Sequence, residues 1–400
     1  MAQIIGRQST AQLISQTRLV RLVDQELAEL EPKLAPLITF TQKMRKWKEV
    51  DSPRLEWFEH EYVTRWITNS STAVTSPETT EFAVTDATGV VAGDVLLVPQ
   101  AAGSSASPEL LLVKDVNLGT SKLTVQRAFA GSTARTIPAD CGIAVLGQAF
   151  AEGSAVATAK ANPPVAKISY TQIFQKTRNF TKTQIASKAY ASGGNERKRQ
   201  QNEMLNEFKI ALNRQFLFGK ASEDLSGTTP LRTTMGLNSV ISTNVFDAGG
   251  MLTHKAFQHF AQMSFRYPFN GKTKLLLACP TVAAAIHMWG NSHLQLRPME
   301  KVFGVDITRI QTAFGQWLMV TDQTLEDGVA GQPGFGGWAF SIDVDNLEVN
   351  YLKGRNAKLS ENVVKNGDDA EIDQVLGEIG LKIKLEKTHA KMYNVTDYEA

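Results

Sequence analysis

Gly271-Lys272-Thr273 is the tail of a phosphate-binding pattern, and it is the first place in this sequence to look for chemistry. A phosphate loop needs a further glycine five residues ahead, so that successive backbone amides can cradle the anion. Position 266 is Arg266, and the residues from Thr273 read as a strand where such a loop has to open a helix. Gly331-Gln332-Pro333-Gly334-Phe335-Gly336-Gly337 is glycine-rich as well, but its spacing is not that of a dinucleotide loop, and a strand follows it. Both read as turns.

Metal and acid–base candidates give no better pattern. His254 and His259 are five apart, and His287 and His293 six, whereas two imidazoles share a helical face at a four-residue step. Asp368, Asp369, Glu371 and Asp373 crowd one stretch that reads as a solvated acidic loop. Cys141 and Cys279 lie far apart without a CxxC and read as two reduced, buried thiols. No nucleophile, base and orienting group are forced together, although triads can be assembled from distant positions. The expectation is a protein with no catalytic residues, no cofactor and no metal site.

The elements that would have to position a site are easier to read. Met204, Phe208, Leu212 and Phe216 recur at four-residue steps, with Asn195 as a cap ahead of them and Gly219 as a stop. That predicts a helix over 196–218, about 34 Å long at roughly 1.5 Å per residue. Before it, Ile168, Tyr170, Gln172 and Phe174 alternate with Ser169, Thr171 and Ile173 as in a strand. From Asn69 to about Gln148 the chain is rich in Thr, Val, Ala and Gly. Short β-type runs at 81–85, 94–98, 110–113, 122–126 and 143–146 are separated by turns, which predicts a small barrel or sandwich. Helices at 254–266, capped by Thr253, and from Pro280 onward alternate with strands at 273–278, 305–310, 317–321, 338–342, 347–351 and 381–385. Helical periodicity over 12–30 breaks at Pro32 and Pro36. A second stretch of this N-terminal arm carries Trp57, Phe58, Tyr62 and Trp66, large amphipathic rings suited to docking, on a neighbour or on their own domain.

Charge is balanced overall, at +2 with 42% apolar and 20% charged residues, but it is unevenly spread. Residues 156–225 hold 12 Lys/Arg against 5 Asp/Glu, whereas residues 69–155 hold 4 against 8. One basic segment in a balanced chain argues against a dedicated nucleic-acid binder and leaves room for a local basic face. Arg197, Lys198 and Arg199 open the long helix, where the helix dipole disfavours cations. Their placement points to an acidic partner, packaged DNA or a scaffold protein, with a solvated helix end as the alternative. No apolar run is long enough for a membrane helix, and the N-terminus turns polar at once. The expected location is a cytoplasm, with no membrane partner.

A docking arm, an extended excursion, a long amphipathic helix and a mixed α+β region together resemble the Hong Kong 97-type fold of tailed-bacteriophage major capsid proteins. The local matches are Ser169–Thr177, which is similar to the end of that family's extended loop, and Glu207-Phe208 through Phe216–Gly219, similar to the end of its spine helix. Phe303-Gly304-Val305 and Phe314-Gly315 resemble its peripheral domain. Arg127-Ala128-Phe129 followed by Gly131–Ala134 resembles a strand and turn of the β-modules some relatives insert.

The resemblance implies an α+β capsid fold with residues 1–68 as N-terminal arm and 69–155 as extended loop carrying an all-β insertion. Residues 156–225 become the spine-helix (P-type) domain and 226–400 the peripheral (A-type) α+β domain, whose C-terminal strands return to the P-type domain. It further implies self-assembly into pentameric and hexameric capsomers of a virion shell, built in the host cytoplasm and enclosing double-stranded DNA bound without sequence preference. Scaffold, portal and decoration proteins are the implied partners. An encapsulin-like compartment shell and a cytosolic α+β enzyme remain the alternatives.

Overall fold

Glu196–Phe218 forms one helix of 23 residues, and the stripe read from the sequence is its buried face. Met204, Phe208, Leu212 and Phe216 are all 4% exposed or less. The Phe208 ring meets Phe174 edge-on, with centroids 6.1 Å apart. The stop is steric as well as conformational: a Cβ at Gly219 would fall 2.5 Å from the Gln215 carbonyl oxygen.

The computed structural model describes residues 35–60, 65–70, 72–100, 107–154, 159, 163–186, 196–267, 273–290, 295–302, 305–325, 336–363 and 369–399. The expected helix over 12–30, Tyr62, the Asn195 cap, Gly271-Lys272, most of the glycine-rich stretch from Gly331 and the Phe303-Gly304 pair lie outside these. The chain divides into two units, Met1–Trp57 with Lys167–Ala400, and Phe58–Ala166.

In the first unit the long helix packs on Gln172–Thr181 and Ala370–Ile383, two antiparallel strands of a five-stranded sheet. Leu347–Leu352 flanks Ala370–Ile383 on its other side, and Trp47–Val50 runs parallel to it at the edge. A seven-stranded mixed sheet is centred on Thr273–Ala278, whose Leu275, Leu276, Leu277 and Ala278 are fully buried. Gln316–Thr321 pairs parallel to that strand and Ala339–Ile342 antiparallel. Helices His254–Ser264 and Pro280–Gly290 belong to this part, and Thr253 caps the first as expected, its Oγ1 accepting from the Ala256 N–H at 3.1 Å. One apolar core runs from the long helix to this sheet.

The second unit is a small barrel. Six antiparallel strands follow the order Trp66–Thr68, Gly142–Gln148, Asp94–Val98, Glu109–Asn117, Lys122–Gln126 and Glu81–Ala83. The two end strands then meet: the Thr85 N–H donates to the Thr68 carbonyl at 2.9 Å and the Ser70 N–H to the Ala83 carbonyl at 3.1 Å. Leu96, Val98, Leu111, Leu123, Ile137 and Ile143 fill the inside. Glu109 and Arg127 form a bidentate pair, both contacts 2.8 Å, with side chains 0% and 5% exposed. Glu109 also accepts the Ala128 and Arg135 N–H groups at 3.1 and 2.9 Å. Burial raises the Glu109 pKa more than any one partner lowers it, but Arg127 and those two amides together outweigh burial and hold the carboxylate below the ordinary range. The Arg127-Ala128-Phe129 turn is thereby tied to the strand beneath it.

Three expectations change. The aromatic arm stretch is extended: Arg54–Glu59 is a strand with Leu55 and Trp57 inward and Arg54, Glu56 and Phe58 outward. The strand read through 168–174 is two strands, Val165–Tyr170 and Gln172–Thr181, and the inward face changes between them. Ser169 and Thr171 are buried, then Phe174 is buried while Ile173 is 54% exposed. Cys279 is buried as expected, but Cys141 is only partly so.

Candidate assembly site

The acidic stretch and the basic helix start, read from the sequence as unrelated, meet. Ala370–Ile383 is a strand and not a loop, and it carries Glu371 and Asp373 to the first turn of the long helix. Arg197 holds Asp373 with Nε to Oδ2 at 2.8 Å and Nη2 to Oδ1 at 2.6 Å, and its Nη1 reaches Glu371 at 2.6 Å. Asp373 is fully buried; it also accepts the Gln201 amide at 2.8 Å and the Asn362 N–H at 3.1 Å. The Arg197 guanidinium, more than burial opposes it, holds the Asp373 carboxyl below the usual carboxylate range. Arg199 pairs along the helix with Glu196 at 2.6 Å. The carboxylates of Glu196, Glu371 and Asp373 thus surround the positive end of the helix dipole and offset the cations that looked misplaced there.

A second clamp lies further along the same helix. Asn213, fully buried, donates to Asp322 Oδ2 at 2.9 Å and Thr324 Oγ1 at 3.0 Å, just past strand Gln316–Thr321. The helix is therefore tied to the five-stranded sheet near its start and to the seven-stranded sheet near its end. Among the described residues no group of three or more His, Cys, Asp or Glu side chains could hold a metal.

What these elements belong to is decided by the sequence as a whole. A family model described as SU10 major capsid protein matches residues 7–396. The chain belongs to that family. The major capsid protein of Pseudomonas phage PaMx41 is 26% identical over 360 residues, 84% of this chain and 79% of that one. Among solved shells, the capsid of a native GTA particle covers 98% of this chain and 100% of its own at 6% identity, with a TM-score of 0.49. The SrpI encapsulin of Synechococcus elongatus PCC 7942 covers 60% of this chain and 80% of its own at 12% identity, with a TM-score of 0.42. At those scores the structural likenesses add nothing to the family assignment. The chain is a phage major capsid protein, a component of the virion shell; its family is a structural one and not an enzyme class. No helix among the described residues is long and apolar enough to cross a membrane.

For a capsid subunit the informative surface is apolar. Of the arm aromatics, Trp57 is 8% exposed and packs in its own unit, with the Lys382 ammonium 5.2 Å from its ring centroid. Phe58 and Trp66, by contrast, are 69% and 54% exposed. Lys198 is exposed at the helix start. Phe314 is 47% exposed on a turn closed by the Thr312 N–H to the Gly315 carbonyl at 2.9 Å. There Gly315 is required, because a Cβ would sit 2.5 Å from the Phe265 ring.

The Asp373 partner of Arg197 left a signal in the sequence. Counting back by twos from Leu381 through Ile379, Gly377 and Val375, the inward face of the strand arrives at Asp373. Asn213 left none beyond being a polar residue beside Leu212.

Proposed function

We propose that copies of this subunit join into pentamers and hexamers that close into an icosahedral head around double-stranded phage DNA. In this reading the long helix and five-stranded sheet are the P-type region of a Hong Kong 97-type subunit. The seven-stranded sheet is the A-type region through which capsomers form. The barrel, whose strands run from Trp66 to Gln148, is an all-β module inserted on the extended loop, and the chain ahead of it is a docking arm. Scaffold, portal and decoration proteins complete the partner set. Of the basic trio, exposed Lys198 is the one assigned to an acidic partner, packaged DNA or scaffold.

The observation that carries the reading is the family match from residue 7 to residue 396, which takes in both units. The physical support is a long helix clamped near both ends and aromatics exposed at Phe58 and Trp66, features suited to broad self-association. Negative-stain imaging of the purified full-length protein, alone and with its scaffold, tests it. Closed shells of uniform diameter with five- and six-fold capsomers are expected. A protein that stays a small oligomer under both conditions would sink the proposal.

A further inference from the structure

Strands of a small water-soluble barrel alternate, apolar inward and polar outward. Lys122–Gln126 obeys: Leu123 and Val125 are buried, while Lys122, Thr124 and Gln126 are exposed. Its neighbours do not. In Asp94–Val98 and Glu109–Asn117, Leu96, Val98, Leu111 and Val113 already fill the interior, which turns Val95, Leu97, Leu110 and Leu112 outward, each half-buried among its neighbours on that face. Registration lines them up. Trp66 lies opposite Ala144, Ala144 opposite Leu97, and Leu97 opposite Leu110, with Val95 opposite Leu112 beside that row. Directly opposed residues of an antiparallel pair share a face, so these side chains form one apolar strip across four strands. The barrel does not need the strip to close, because its interior is complete without it. Contiguous outer apolar surface of this kind marks an association face.

We infer that this outer face of the barrel is covered by a second copy of the chain in the assembled shell; the inference rests on the shell reading above. Charge selects the occupant. Phe58–Ala166 holds 6 Lys/Arg against 10 Asp/Glu, and the rest of the chain holds 36 against 30. An acidic barrel is therefore drawn to the net-basic unit of a neighbouring copy and repelled by another barrel. A shell of identical subunits supplies such a neighbour to every barrel.

The test places a benzophenone amino acid at Leu97 of the full-length protein, with the same residue at Thr124, on the polar side, as control. Irradiated shells should give covalent chain dimers on a denaturing gel, about ten-fold more from position 97 than from 124. Equal yields, no dimers from shells that do form, or adducts to a different protein only would each overturn the inference. Should the position-97 protein not assemble, Leu110→Lys and Thr124→Lys provide the second measurement. Both subunits should melt as the wild type does, and only Leu110→Lys should lose shell yield, again by about ten-fold. Leu110→Lys shells at normal yield would overturn the inference, and so would a lowered melting temperature of the unassembled Leu110→Lys subunit, which would make the strip part of the fold. Wild-type protein that forms no shells overturns the shell reading itself, whereas shells without position-97 dimers overturn only the covered face.

Discussion

Arg197 grips Asp373 through two parallel hydrogen bonds, 2.8 and 2.6 Å, across 176 residues of sequence. Removing one partner of a buried pair leaves an uncompensated charge, which costs about 3–5 kcal/mol. Arg197→Gln should therefore lower subunit stability by that order in urea denaturation. Arg199→Gln, which breaks a partly exposed pair within one helix, should cost no more than about 1 kcal/mol. Equal effects of the two would show that the clasp is not a structural centre.

Phe208 sits at the middle of the buried stripe with Phe174 against it. Phe208→Ala should destabilise the subunit by about 3–5 kcal/mol through lost transfer energy and the cavity left behind. Lys209→Ala, one residue on and exposed, should stay within roughly 0.5 kcal/mol. Paired thermal melts check both values.

His389 gives the fold an acid limit. The imidazole is fully buried: its Nδ1 accepts the Asp343 N–H at 3.2 Å, and its Nε2 faces the Lys384 carbonyl at 3.1 Å. Burial, with the nearby Lys274 cation adding to it, pushes its pKa down to about 4 from an ordinary 6.5. Between those values the unfolded chain binds a proton that the folded chain refuses, so stability falls as pH drops from about 6.5 towards 4, by up to about 3 kcal/mol. His389→Gln, which can accept and donate at the same two places, should flatten urea midpoints across that window. Carboxylates with lowered pKa, such as Asp373, act at more acid pH and should leave their part of the curve unchanged.

Trp66–Thr68 pairs with Gly142–Gln148, so a cut made at residue 75 would strand it without a partner. Replacing residues 61–163 by a Gly/Ser linker should leave a soluble, cooperatively melting remainder. Replacing only 75–149 should give aggregation-prone protein with an orphaned apolar strand. Solubility and melting of the two proteins side by side decide the matter.

The long helix, its stop and its stripe were legible because an apolar repeat at four-residue steps has few other uses. Alternation likewise marked Lys122–Gln126. The clasp was hidden because charge clusters are ordinarily solvated, and carboxylates at a strand start look like a loop until a distant cation arrives. Trp57 and Phe58 show a different limit: adjacent aromatics on a strand point to opposite faces, and composition alone assigned both to docking. The phase change around Thr171 was unreadable locally, since two strands of different sheets abut there with no proline or glycine to mark the break.

Closure of the barrel by the Thr68, Ser70, Ala83 and Thr85 backbone has a consequence for a protein stored at very high local concentration. An open sheet offers its rim to any other chain, in any register, because main-chain groups carry no address. A ring has no rim. Copies of this module crowded together during head assembly can recognise one another only through side chains, so a misplaced neighbour finds nothing to zip onto and dissociates. Reversibility of wrong encounters is what lets a lattice correct itself before it closes.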